Sequence, residues 1–432
     1  MLPKLTTEIP GRKSRDLARR LKAHESRNVT YLSDDFPVFW ERAEGANVWD
    51  VDGNCFLDLT SAFGVATAGF ACDYKRQTFA WQGALLEHGM GDVHPSALKV
   101  ELCERLSQVT FERWGVGAGK AILGNSGFEA VEAALKTSWL ATGKRRVLAF
   151  EGAYHGLGFG SLTANGWEFF KAPFRPMLAD FADFVSYPRT AGDLAKLEPL
   201  ITKILSRGET GVILVEPVLG RGGEVVPPDG FLQLLRRLAD QHDSLLAFDE
   251  IYTGFFRTGK WFACDHEKVV PDLICLGKAL SGAYPVSACV GKAGVMDAWP
   301  ESAGEALHTS TFLGNPVGCA LALASIEFWS QANRERELAK LEELWQQALS
   351  PLASLPEVVQ VRGRGLLWGV EFKMPGIAGT LMTKGLQRGL VLLGAGQDGQ
   401  VLSLAPTVAL TPEEIAFAGA EIEKLIRAVR ST

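Results

Sequence analysis

Short apolar runs alternate with amphipathic stretches between about residues 75 and 330. Such brief runs, with few polar residues inside them, are typical of strands that are buried on both faces of a parallel sheet. The stretches between them include helix patterns such as Phe231 to His242. The predicted strands are VLAF at 147–150, GVILVEP at 211–217, SLLAFDE at 244–250, DLICLGK at 272–278 and VSACVG at 286–291. This alternation predicts an α/β unit with a mostly parallel sheet.

The two ends of the chain follow other patterns. After a polar helix predicted at 14–27, residues 29–61 alternate apolar and polar positions around the turn signal Asp52-Gly53, which predicts a small antiparallel sheet. Towards the other end, one long helix is predicted at 317–349. The last part of the chain predicts strands in VVQVRGRGLLWGVEFK and GQVLSLAP and helices at 377–388 and 412–429, the latter capped by Thr411.

These patterns divide the chain into domains. Its 432 residues are too many for one simple core. We therefore expect a large domain over residues 61–329 and a small α+β domain built from residues 1–60 and 330–432.

Composition narrows the class of protein. Hydrophobic residues make up 47% and charged residues 22% of the chain, and the formal net charge is −6. This balance gives no basic surface for nucleic acid and no polybasic patch for a membrane. No stretch approaches eighteen consecutive apolar residues, and the N-terminus lacks the apolar core of a signal peptide. The seven cysteines form no Cys-x-x-Cys pair, which favours free thiols over metal ligands, so we expect a cytoplasmic protein without a metal.

Ionisable residues stand where three predicted strands end. They are Glu216, Asp249 with Glu250, and Lys278. Because ligands of open α/β sheets bind beyond the carboxyl ends of the strands, we expect these side chains to meet in one pocket. An amine and a carboxylate in such a pocket have two interpretations, a structural ion pair or a Schiff-base lysine with an acid for a pyridine nitrogen.

Two further motifs are compatible with a bound phosphate and a flat ring. GNSGFEAVEAALK at 124–136 begins a helix after a predicted strand. Ser126 could bind a phosphate at the N-terminus of this helix, and Gly127 would let the backbone come close to it. The same residues form an S-x-x-E capping box, which needs no ligand. Tyr154, in Tyr154-His155-Gly156, could stack on a cofactor ring or be an ordinary structural aromatic.

Together these motifs resemble the class III pyridoxal-phosphate aminotransferases, such as acetylornithine, ornithine and 4-aminobutyrate aminotransferases. The likeness extends from about residue 36 to 416, and its most specific stretch is LLAFDEIYTGFFRTGKWFACDHEKVVPDLICLGKALSGAYPVSACVG at 245–291. NSGFEAVEAALK, YHG, EPV and HTSTFLGNP occur in the same order. The resemblance implies fold type I, with a large domain on a mostly parallel sheet and a small domain built from both chain ends.

The resemblance also implies a cofactor, pyridoxal 5'-phosphate, and a role for each matching residue. Lys278 would form the Schiff base and move the proton, while Asp249 would keep the pyridine nitrogen protonated. The other expected cofactor contacts are Ser126, Gly127 and Phe128 at the phosphate, Tyr154 stacked on the ring, Glu216 from the neighbouring strand, Tyr252 near the phenolic oxygen, and Thr311 at the phosphate of the partner subunit. The role of Thr311 implies a homodimer with shared active sites.

Two positions depart from the family pattern at the substrate. Many relatives read EPxQGEGG and carry an R-x-x-P-P arginine, whereas this chain has EPVLGRGG with Arg221 and VLSLAPTVALT with Ser403. In the family, this glutamate pairs with the arginine when an uncharged group enters and releases it to bind a substrate carboxylate. This chain has neither the glutamate nor the arginine. Arg221 could itself bind a substrate carboxylate. Alternatively, it turns to solvent or pairs with an acid, and the substrate is a plain amine.

The leading prediction for function is an ω-transaminase, which moves an amino group from an ω-amino acid or related amine to a keto acid. An aminomutase, a racemase or a lyase on the same scaffold is the alternative within the family. A non-catalytic relative is the alternative outside enzymes, and the presence of both Lys278 and Asp249 argues against it.

Overall fold

The computed structural model describes residues 1–429, so residues 430–432 of the predicted C-terminal segment lie outside the described residues. The strands are β1 Trp40–Glu44, β2 Asn47–Asp50, β3 Cys55–Asp58, β4 Gly119–Gly124, β5 Arg146–Phe150, β6 Ala182–Val185, β7 Thr210–Val215, β8 Leu245–Asp249, β9 Leu273–Leu276, β10 Ser287–Lys292, β11 Val358–Arg364, β12 Leu367–Phe372, β13 Leu390–Val391, β14 Leu393–Ala395 and β15 Val401–Leu404. The α-helices are α1 Arg12–His24, α2 Ser61–Gly64, α3 Asp73–Leu85, α4 Ala97–Ser107, α5 Gly127–Thr142, α6 Phe159–Thr163, α7 Glu168–Lys171, α8 Ala191–Leu205, α9 Phe231–Gln241, α10 Ala293–Met296, α11 Pro316–Trp329, α12 Arg334–Leu349, α13 Ile377–Leu386 and α14 Pro412–Val429.

The chain forms two compact units. One combines Met1–Cys72 with the part of the chain that begins at Arg336, and the other is the continuous stretch Asp73–Glu335. The boundaries drawn from the sequence, after residues 60 and 329, lie earlier in the chain than these two. None of the described helices has the length and apolar character needed to cross a membrane.

The continuous unit is built on a seven-stranded sheet in the order β4-β10-β9-β8-β7-β5-β6. The five strands from β9 to β6 are parallel, as predicted for a mostly parallel sheet. Strand β10, predicted as one more buried strand of this set, runs antiparallel to both β4 and β9. The reason is the short connection from β9, which contains a single 3₁₀ turn at Lys278–Leu280, whereas a parallel return needs a crossover of about a dozen residues or more.

Helix α5 covers the part of this sheet that matters most for the site. Its inward face carries small residues, among them Ala130, Ala133 and Ala134, which are at most 1% exposed and let the helix approach the strands closely. The helix ends because Gly143 adopts a left-handed conformation (φ 64°) and its N–H bonds to the Trp139 carbonyl at 2.8 Å. At its other end, only Asn125 and Ser126 separate the helix from β4.

The unit built from both chain ends contains two four-stranded sheets, β1-β2-β3-β13 and β11-β12-β15-β14. The predicted turn at Asp52-Gly53 joins β2 to β3. The Asp50 carboxylate accepts the N–H groups of Asp52 (3.0 Å) and Asn54 (2.8 Å), and Gly53 has a φ of 86°, which suits glycine. Thr411 caps α14 as predicted, accepting the Glu414 N–H at 3.3 Å.

The single long helix predicted at 317–349 is wrong. It is interrupted between α11 and α12, at residues 330–333. The Ser330 hydroxyl donates to the Ile326 carbonyl (2.8 Å), and the Arg334 guanidinium donates to the Phe328 carbonyl (3.0 Å). These side chains satisfy carbonyl groups at the end of α11, so the helix can stop there without leaving them unbonded.

Candidate active site

Three adjacent parallel strands carry the predicted ionisable residues to one edge of the sheet. Glu216 directly follows β7, Asp249 ends β8, and Lys278 comes two positions after the end of β9. Because β9, β8 and β7 are neighbours with the same direction, their carboxyl ends lie side by side. The structure therefore brings these three predicted site residues together.

Lys278 lies in an unusual backbone conformation. Its φ is 45°, a left-handed value that is strained for a residue with a Cβ atom. Its Nζ atom lies 3.9 Å from the centre of the Tyr252 ring. Burial lowers the pKa of Lys278 from 10.5 to about 8, while the carboxylates of Asp249 and Glu216 act in the opposite direction. About a tenth of this amine is therefore neutral at pH 7, and able to act as a nucleophile or base.

Asp249 is held by His155, which was not among the predicted site residues. The Nδ1 atom of His155 lies 2.8 Å from Asp249 Oδ2, and the Ile251 N–H donates to Asp249 Oδ1 at 3.1 Å. Since an ionised carboxylate can only accept, His155 Nδ1 donates this bond. The only signal in the sequence was the place of His155 beside Tyr154 after β5, because its partner is 94 residues away.

Glu216 joins two loops of the site. Its carboxylate accepts the N–H of Tyr154 at 2.8 Å and the N–H of Gly220 at 3.1 Å. Burial raises the pKa of Glu216 from 4.5 to about 7, His155 lowers it, and the charge of Asp249 raises it. Glu216 thus positions the loop that carries the predicted stacking residue, Tyr154.

The neighbouring acid, Glu250, faces a different part of the fold. Its carboxylate accepts the N–H groups of Ala263 (2.9 Å) and Cys264 (2.8 Å) and the hydroxyl of Thr253. The side chain is fully buried, and burial raises its pKa from 4.5 to about 7. Glu250 therefore organises the loop after β8, whereas Asp249 is the acid of the pocket.

The N-terminus of α5 has the features expected of a phosphate site. Ser126 and Glu129 are arranged as a capping box, in which the Glu129 carboxylate accepts the Ser126 N–H at 3.2 Å. The Ser126 hydroxyl, however, is buried and makes no hydrogen bond of normal geometry within the described residues. A Cβ atom on Gly127 would lie 3.0 Å from the Ile251 side chain, so glycine allows the closest packing there. Phe128 follows and is 39% exposed.

Arg221 is exposed, and its guanidinium lies over aromatic rings. The guanidinium carbon is 5.0 Å from the ring centres of Tyr154 and Phe170 and 5.7 Å from that of Trp167. The residue before it, Gly220, packs tightly: a Cβ atom there would lie 2.5 Å from the Tyr252 ring.

The remaining two predicted site residues are Thr311 and Ser403. Thr311 is exposed on the segment between α10 and α11 of the continuous unit. Ser403 lies in β15 of the other unit, where it is buried and pairs with Gly369 and Leu393 on the neighbouring strands.

Comparison with known proteins adds independent evidence. Residues 30–426 match the family described as "Aminotransferase class-III". The chain is 34% identical to the 4-aminobutyrate aminotransferase of Mycobacterium leprae over 95% of each chain. It is 35% identical to the acetylornithine aminotransferase of Methanopyrus kandleri over 78% of this chain and 81% of that protein. Among solved structures it is similar to the ornithine aminotransferase from Toxoplasma gondii, with a TM-score of 0.84, 26% identity, and coverage of 99% of this chain and 97% of the other.

Proposed function

The chain belongs to the class III aminotransferases, which are pyridoxal-phosphate enzymes, and we propose that it transfers an amino group from an ω-amino acid or a related amine to a keto acid. The observation that carries the proposal is the placement of Lys278 and Asp249 at the ends of adjacent parallel strands. The similar proteins are named for 4-aminobutyrate and acetylornithine, and this supports an ω-amino donor.

The residues present fit the cofactor. A phosphate carries negative charge and accepts hydrogen bonds, and the N-terminus of α5 offers a buried Ser126 hydroxyl that makes no normal hydrogen bond in the described chain. The N–H groups of Gly127 and Phe128 belong to the first turn of the same helix. We assign these three residues to the phosphate, Tyr154 to the face of the ring, and Tyr252 to the side near Lys278.

When bound, pyridoxal phosphate supplies an aldehyde that receives the amino group and a ring that withdraws electrons from the substrate carbon. Lys278, whose pKa burial lowers to about 8, would hold the cofactor and would take up or release a proton at its Nζ atom. Asp249 would face the ring nitrogen of the bound cofactor, and the hydrogen bond from His155 orients the Asp249 carboxylate for this task. The amine donor and the keto acid would react one after the other, and Lys278 and Asp249 would serve both.

Spectroscopy of the holoenzyme tests this function. With an amine donor alone, an aminotransferase converts its cofactor stoichiometrically to the amine form, so the visible band disappears, and a keto acid restores it. A racemase or aminomutase would return the cofactor unchanged, and a lyase would release products without a keto acid. Failure of the chain to take up pyridoxal phosphate would contradict the proposal altogether.

We also propose that two copies of the chain form a homodimer with shared active sites. Thr311 lies among exposed apolar side chains, with Phe312 57% and Leu307 71% exposed, and exposed apolar groups of this size favour burial against another surface. Phe159, which is 53% exposed, is a further exposed apolar side chain on the same unit. In this arrangement the Thr311 hydroxyl would reach the phosphate bound by the partner.

Complementation tests the shared site. Mixed dimers of Thr311→Ala and Lys278→Ala chains contain one site with both intact residues, so random mixing should restore about a quarter of wild-type activity. Each variant alone should remain impaired. If mixing restores nothing while heterodimers form, Thr311 does not serve the neighbouring subunit.

A further inference from the structure

Arg221 stands beside the candidate site with its charge held in place by aromatic rings. We propose that Arg221 binds the carboxylate of the substrate, so that the preferred amino donors and keto acids carry a carboxylate away from the reacting carbon. This inference rests on the proposed aminotransferase function and names the substrate class of the same site.

The first argument is the fixed position of the guanidinium. It lies 5.0 Å from the Tyr154 and Phe170 ring centres, within the range of cation–π attraction. Trp167, at 5.7 Å, is itself anchored, because its indole N–H donates to the Gly152 carbonyl at 2.8 Å. A long and otherwise mobile side chain is thereby positioned before any substrate arrives, which lowers the entropic cost of binding.

The second argument is that no carboxylate of the described chain engages the N–H donors of the Arg221 guanidinium. Within residues 1–429, Arg221 forms no ion pair with a carboxylate, whereas Arg146 pairs with Asp183 and Arg236 pairs with Asp272. Aromatic faces attract the charge without using up the five N–H donors of the guanidinium. Two of these donors can bind both oxygens of a carboxylate at once.

The third argument is location. Arg221 directly follows Gly220, whose N–H is held by Glu216 at 3.1 Å. Gly220 packs against the Tyr252 ring, and the same ring lies 3.9 Å from Lys278 Nζ. A continuous set of contacts therefore connects the residue before Arg221 to the Tyr252 ring beside the reacting amine, and the Arg221 guanidinium lies over Tyr154, the ring assigned to the cofactor.

The fourth argument is electrostatic. Three acids act on Lys278 and only one arginine, Arg257, opposes them, so their charge disfavours an anionic substrate near the reacting amine. A positioned guanidinium offsets that repulsion for a carboxylated substrate but gives nothing to a plain amine. Arg221 thus favours carboxylated donors over plain amines.

The test uses two donors that differ only by the carboxylate, 4-aminobutyrate and propylamine. We expect Arg221→Met, whose side chain still packs against the rings, to lower kcat/KM for 4-aminobutyrate by about 10- to 100-fold, as for a lost hydrogen bond to a charged group. For propylamine the change should be below about threefold. Arg221→Lys should keep part of the preference, because it keeps the charge without the planar fork. Arg20→Met, at an exposed arginine of α1, is the matched control and should change neither donor.

An equilibrium measurement separates this inference from the proposed function. Calorimetric titration of the holoenzyme with butyrate should show binding that weakens at least about tenfold in Arg221→Met. Equal losses for both donors, or unchanged butyrate binding, would overturn the assignment of Arg221 while leaving the aminotransferase function standing. If no amine transfers its amino group to any keto acid, the proposed function fails, and butyrate binding still decides the role of Arg221.

Discussion

The Nδ1 atom of His155 lies 2.8 Å from Asp249 Oδ2, and neither side chain is more than 4% exposed. A buried carboxylate without a partner would favour its neutral form, which could not keep a ring nitrogen protonated. His155 therefore acts on the chemistry through Asp249 and is a positioning residue.

Replacing His155 tests this relationship. We expect His155→Ala to lower kcat by about 10- to 100-fold, as for the loss of a hydrogen bond to a charged group, with little change in KM. The pH at which the visible band of the bound cofactor titrates should shift in the same variant, because the charge of Asp249 is less well held. A variant with normal kcat and an unshifted spectrum would show that His155 serves packing alone.

The pH dependence of cofactor uptake reports on Lys278. Only the neutral amine attacks an aldehyde, and burial lowers the pKa of Lys278 to about 8. The rate of uptake by the apoprotein should therefore rise about tenfold per pH unit below pH 8 and level off above it. The Glu216 carboxylate raises this pKa, so Glu216→Gln should move the midpoint to lower pH. Lys278→Ala, as the control, should form no borohydride-reducible linkage at any pH.

Ser126 can be distinguished from an ordinary helix cap. Its buried hydroxyl makes no normal hydrogen bond within the described residues, so Ser126→Ala should leave the Tm of the apoprotein nearly unchanged. The same change should weaken pyridoxal phosphate binding by about tenfold, since one hydrogen bond to a charged phosphate is lost. Thr190→Ala is the matched control: Thr190 accepts the Asp193 N–H at 3.2 Å, so this variant should lose about 1 kcal/mol of stability and no cofactor affinity. If Ser126→Ala instead lowered the Tm and left pyridoxal phosphate binding unchanged, Ser126 would be a structural cap.

Substitutions of the adjacent acids Asp249 and Glu250 should likewise differ in whether they affect activity or stability. Glu250→Gln replaces one carboxylate oxygen with an NH2 group, which would face the N–H donor of either Ala263 or Cys264, so it should cost about 1–3 kcal/mol in the free energy of unfolding. Its kcat per folded molecule should stay within about threefold of wild type, whereas Asp249→Asn should lose at least about 100-fold. Calorimetry measures the loss of stability in both variants, and steady-state kinetics measures the loss of kcat.

The stability of the Glu250 variant should also depend on pH. The pKa of Glu250 is raised from 4.5 to about 7, so folding favours the protonated form. In the wild type this group therefore contributes stability below pH 4.5 that is lost as the pH rises towards 7. Glu250→Gln removes a titrating group, and the difference in unfolding free energy between variant and wild type should change over that interval. A constant difference would contradict the raised pKa.

Local patterns were enough to predict the framework of the site. The strand predicted at 244–250 is observed at Leu245–Asp249, and the helix predicted at Phe231 to His242 is observed at Phe231–Gln241. Apolar runs and periodicities depend on residues close in the chain, so they can be recognised without a structure. The long helix over 317–349 failed because side-chain bonds from Ser330 and Arg334 end α11, and apolar periodicity does not record such bonds.

By itself, the sequence determined the kind of chemistry: an amine and two acids at strand ends, a glycine at a helix N-terminus, and membership of a family that uses one cofactor. Only the tertiary structure decided which side chains meet, namely His155 with Asp249, Tyr252 with Lys278, and Arg221 with three aromatic rings. These contacts join segments far apart in the chain. They depend on the order of the strands in the sheet and the paths of the loops between them, which no local pattern of residues contains.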